Sequence, residues 1–83
     1  MPTYRPDVLA ALATHGLNPR HDTTPERLRD AVNDLYRHEI RVLRDRCRAR
    51  EFPVTDLARR VVDLRRRYML LSIPLAQWTA DEP

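Results

Sequence analysis

Lysine is missing from this chain: all 15 of its basic side chains are arginine. A GC-rich coding sequence favours arginine for compositional reasons. The guanidinium fork is also the better group for gripping phosphate or carboxylate. The net charge of +3 is too small to demand a nucleic-acid partner on its own. Cysteine is nearly absent as well. The lone Cys47 excludes an intrachain disulfide, and no Cys/His spacing suits zinc. No long apolar run exists. The longest, YMLLSIPLA at 68–76, is interrupted by Ser72 and Pro74 and is too short to span a bilayer. The early run VLAALA is too short for a signal-peptide core. With the unpaired cysteine, these features predict a cytoplasmic protein with no membrane span. No phosphate loop, metal cluster or paired catalytic carboxylates occur, so we expect no enzyme activity, no cofactor and no small-molecule substrate.

A chain of 83 residues supports one small domain with a marginal core. Scaffolds of this size usually gain from a disulfide, a metal or association. The first two are excluded by composition, which leaves association with a second copy or with another protein.

What is present favours helix. There is one glycine, and Leu, Ala and Arg are abundant. The first helix is expected over about 6–15, with Pro6 in the first turn and Asp7 against the positive helix end. Gly16 should stop it in the left-handed conformation, with Leu17 packing back on Leu12. A second helix is expected over 25–50. Thr23 or Thr24 caps it, Pro25 fills the first turn, and Glu26 could complete a capping box with Thr23. A third is expected over 55–72, capped by Thr55 and ended before Pro74. The short link at 51–53 makes the second and third helices antiparallel neighbours. The predicted fold is all-α: a small three-helix bundle with a C-terminal tail, 73–83, folding back through Trp78.

Charge is concentrated in the middle. Residues 35–67 hold eleven arginines against five acids, a net +6. On a helical wheel Arg37, Arg41, Arg44 and Arg48 fall within about 60° of one another, opposite a broad apolar arc. They form the candidate anion or nucleic-acid surface. Against that use, no aromatic side chain is interleaved for base stacking. The stripes of the two long helices also point apart when their apolar faces pack. A helix-turn-helix reading fails because the second helix is too long and its connection lacks glycine.

Two charges interrupt the apolar arc of the second helix, Glu39 and Arg46. A buried charge needs a partner. Arg65, between the seam Leu57, Val61, Leu64, Tyr68, Leu71 and a second row Ala58, Val62, Met69, is the expected ion-pair partner of Glu39. Arg46 has no evident acid within the chain, so Arg46 and Trp78 are the candidate partner-facing residues. Asp56–Arg60 and Asp63–Arg67 have the spacing of surface helix pairs. His15 suits a helix C-terminus, His21 lies in a loop, His38 flanks the second helix, and Cys47 reads as a structural thiol. The apolar arcs are wider than a two-helix contact needs. Left-over apolar surface points to an interaction module or accessory subunit, self-associating as a homodimer or bound to another protein. Nucleic-acid binding through the stripe is the alternative. A basic amphipathic helix lying on anionic lipid is a further one, opposed by the core's need for the same face.

Overall fold

The computed structural model describes residues 3–80, so Asp81, Glu82 and Pro83 of the expected tail lie outside the described residues. The chain is mostly helical. It runs β1 (Thr3–Tyr4), α1 (Pro6–Thr14), α2 (Pro25–Arg48), a 3₁₀ turn at Val54–Asp56, α3 (Leu57–Arg67), 3₁₀ turns at Met69–Ser72 and Leu75–Gln77, and β2 (Thr79–Ala80).

Local chemistry sets the helix ends. Gly16 has φ +75°. Its N–H donates to the Ala13 carbonyl and the Leu17 N–H donates to the Leu12 carbonyl. This is the Schellman pairing expected from glycine followed by leucine. At the start of α2 the cap is Thr24, whose hydroxyl oxygen accepts from the Arg27 N–H at 3.3 Å. The capping box with Glu26 does not form, because the third helical position after Thr24 is Arg27. Thr23 instead closes the preceding loop, accepting from the Arg20 N–H at 3.0 Å. Thr55 does not cap α3; it sits within the 3₁₀ turn that leads into the helix.

The expected third helix over 55–72 is corrected by a break at Tyr68, where φ is −111° and ψ is 42°. A continuous helix would carry Leu70 well over 90° away from the Leu64–Tyr68 seam. After the break Leu70 is 2% exposed and lies in the core, whereas Leu71 is only half-buried. Burial of one more leucine therefore competes with, and overrides, local helix propensity.

An all-α chain is also corrected by a two-stranded antiparallel pairing, with Thr3 opposite Ala80 and Tyr4 opposite Thr79. The Arg5 N–H extends it by donating to the Trp78 carbonyl at 3.0 Å. Trp78 is fully buried, with its indole N–H donating to the Ile73 carbonyl at 3.1 Å. Its candidacy as a partner-facing residue is thereby overturned: the side chain is the largest in the core.

The core cluster joins Val8 and Leu12 of α1, Leu28 and Val32 of α2, Leu64 of α3, and Tyr68, Leu70 and Trp78 beyond it. The i,i+4 spacing of the first two pairs puts each pair on one helix face. None of residues 41–63 belongs to that cluster. We call residues 3–40 and 64–80 the head and residues 41–63 the arm. The molecule measures 52 × 18 × 16 Å, with a radius of gyration of 15.3 Å. A compact domain of this length has about 12 Å, so the chain is elongated.

Candidate interaction surfaces on the arm

The stripe residues Arg37, Arg41, Arg44 and Arg48 are all exposed on α2. Arg48 lies 3.9 Å from Asp45, with both side chains well exposed. A pair of that kind constrains little. Among the described residues, Arg37, Arg41 and Arg44 form no ion pair within 4.0 Å.

The arm's tip is built by an unusual helix end. Arg50 occupies the left-handed region at φ 61°. Its N–H donates to the Cys47 carbonyl, and the Glu51 N–H donates to the Arg46 carbonyl. This repeats the Schellman pairing of Gly16 with a residue that carries a Cβ, which opposes that conformation. The turn delivers Phe52, the arm's one fully buried side chain among the described residues, 7% exposed. The Arg60 guanidinium carbon stands 4.1 Å from the centre of its ring and that of Arg46 5.8 Å. Phe52 thus sits beneath two cations, an attraction of about 0.5–2 kcal/mol each when water is excluded.

Arg46 also lies 3.6 Å from Glu51. The acid thought to be lacking is five residues away, brought back by the turn, so Arg46 has no need of a partner chain's carboxylate. The expected Glu39–Arg65 pair does not form. The Arg65 Nε–H donates to the Tyr36 hydroxyl at 3.4 Å, and Arg65 is exposed. Glu39 instead lies close enough to act on the Tyr68 phenol. Burial and the hydrogen-bonding Glu39 carboxylate together push the Tyr68 phenol up to about 12. Tyr68 is further held between the His15 ring, stacked at 4.3 Å, and the edge-on Tyr36 ring at 5.3 Å. His15 is therefore a packing residue of the head. Burial also raises the phenol of Tyr4, with Glu26 adding to the effect, and the Tyr4 hydroxyl donates to the Thr23 carbonyl at 2.8 Å.

Between α2 and α3 lies an open groove of about 500 Å³. Val42, Leu43 and Leu64 supply its apolar lining, and His38, Arg46, Arg60, Asp63 and Arg67 its polar lining, beside Glu39. The helix pairs expected here are rearranged. Asp56 pairs with Arg59 at 3.7 Å and not with Arg60. Among the described residues, Asp63 and Arg67 form no ion pair within 4.0 Å. The Arg60 Nε is covered and has no hydrogen-bond partner. A covered donor left unpaired costs about 1–3 kcal/mol, which the Phe52 ring offsets in part.

Val42, Val54 and Val62 of the arm are 42%, 72% and 46% exposed, and Met69 at the edge of the head is 58% exposed. Sequence reasoning missed Phe52, Arg60 and Arg67 as a group. EFP reads only as a helix stop, and wheel spacing assigns both arginines to neighbouring acids. Cys47 is half-buried at the tip and His21 is exposed in its loop. Among the described residues no cluster of His, Cys, Asp and Glu could hold a metal, and no helix is long and apolar enough to cross a membrane. No protein-family model, curated protein or solved structure matches the chain.

Proposed function

We propose that the protein is a helical protein–protein interaction module or accessory subunit, with the head as its scaffold and the arm as its docking element. In this reading α2 and α3 form an antiparallel hairpin, and α1 completes a three-helix bundle around the head alone. Support comes from the pairing of residue numbers: Tyr36 meets Arg65 and Tyr68, while Arg46 and Arg60 both meet Phe52. The observation that carries the reading is the contrast in burial. The core cluster takes eight side chains from the head and none from the arm, although α2 keeps its apolar face along its whole length.

Association of two copies is a second form of the reading. It is favoured by Ala58 and Val62, exposed one turn apart on α3, and by exposed Met69 just beyond the helix. Nucleic-acid binding through the stripe is weaker. The four arginines occupy the outer back of one helix, where they do not converge on a single phosphate path.

Light-scattering mass on a size-exclusion column tests this, with protein and nucleic-acid absorbance recorded together at low salt. The expected result is protein free of nucleic acid, as a monomer or, in the second form, a dimer whose share grows with concentration. Nucleic acid that elutes with the protein and is stripped by high salt would sink the interaction reading in favour of the stripe.

A further inference from the structure

We infer that the groove between α2 and α3 seats an acidic amphipathic helix of another protein, carrying acid, base and acid along one edge to meet Arg60, Asp63 and Arg67. This rests on the interaction-module reading and names the partner's chemistry.

The head shows what a third layer does. There α1 lays Val8 and Leu12 against α2 and the segment after α3. In the arm no third helix covers α2 and α3 among the described residues, and Val42 and Leu43 face an open groove. The groove begins at His38 and reaches Arg46. That is roughly 12 Å along α2, or about two turns of a docked helix.

Charge selects the occupant. Arg60 and Arg67 lie two turns apart on α3 with Asp63 between them, and none of the three is paired with an opposite charge among the described residues. Edge pairs at such spacings set partner choice where helices pack side by side. Arg46 faces them across the groove but is already engaged by Glu51. Glu39, the other acid of the lining, stands on α2 and not on the α3 edge. The α3 edge of the groove is thus two cations flanking one anion.

A second copy fits this edge poorly. Its own arm belongs to the stretch with a net +6, and α1 and the first half of α2 are committed to the head. A nucleic acid fits less well, since the carboxylates of Glu39 and Asp63 in the lining repel phosphate.

The test uses the full chain and a fluorescent synthetic peptide of about three heptads, with leucine on one face and Glu, Lys, Glu at spacings of three and four along one edge. A second peptide has those signs inverted. Fluorescence anisotropy should show the first binding at least about tenfold tighter. R60Q/R67Q should abolish the preference. R67E should shift it toward the inverted peptide, and R37Q/R41Q/R44Q/R48Q should leave it intact. Because Arg60 packs on Phe52, circular dichroism accompanies each variant, and R67Q alone, at an exposed site, must weaken binding without unfolding. Equal binding of both peptides, no binding of either, or loss caused by the stripe variant and not by R67Q would each overturn the groove assignment. A concentration-dependent dimer in the same sample would then keep the interaction-module reading with a second copy as partner. Salt-sensitive nucleic acid on the column would end both.

Discussion

Head and arm share two helices, yet only one of them has an interior. The first half of α2 buries Leu28 and Val32. The second half repeats the pattern with Leu43 and Cys47 and buries neither fully. The difference lies in the layers available. In the head, α1, the 3₁₀ turns and Trp78 close over α2. In the arm, among the described residues, α2 meets α3 and the tip turn that carries Phe52, and no third helix closes over them. An apolar stripe therefore states that a helix can be covered. Whether it is covered depends on chain elsewhere.

The sharpest way to break the comparison is to remove the same kind of atoms from both regions. Trp78→Ala empties the centre of the head and removes the indole hydrogen bond. It should cost about 3–5 kcal/mol, enough to abolish a cooperative urea transition in so small a domain. Val62→Ala in the arm should change the midpoint by less than about 0.5 kcal/mol. Similar losses at the two sites would mean that the arm is as well packed as the head.

A smaller effect comes with alkali. The folded chain holds the Tyr68 proton more tightly than the unfolded chain, up to about 12 against the ordinary 10.0. Below that window both states are protonated and the stabilisation is complete. As pH rises through it, the unfolded state releases the proton first, so stability falls, by on the order of 2 kcal/mol. Phenolate absorbance followed with circular dichroism should show one tyrosine ionising only as the head unfolds. Tyr68→Phe should remove that late phase.

The smallest effect sharpens the arm's side of the comparison. Arg50→Gly relieves a left-handed residue at the tip and should raise stability by about 1 kcal/mol in thermal or urea unfolding. A loss of stability would show that the Arg50 side chain compensates for its backbone.

Much of the head's local structure was legible. Gly16 with Leu17, and Thr24 with Pro25, are signals read within a few residues, and both appear as expected. The exposed stripe was also legible, since helical spacing alone places four arginines on one side. The rest depended on distant chain. Strands of two residues have no period to detect, so the pairing of Thr3–Tyr4 with Thr79–Ala80 could not be foreseen. The break at Tyr68 answers the core's demand for Leu70. Arg50 takes a conformation for which glycine is the usual sign. The wheel offers Arg65 as the partner of Glu39, whereas the folded Arg65 side chain turns to the Tyr36 hydroxyl. The groove's open charges were hidden because Arg60 and Arg67 each have an acid at the right spacing, which the folded side chains do not use.

The pairing of the first and last described segments also has a mechanical meaning. Thr3 and Ala80 sit opposite each other on neighbouring antiparallel strands. Tension applied between them would peel the strands apart one bond at a time, as a zipper opens. The load path runs through this seam and the Trp78 carbonyl that anchors Arg5. Until the seam opens, the arm lies off that path and carries no strain.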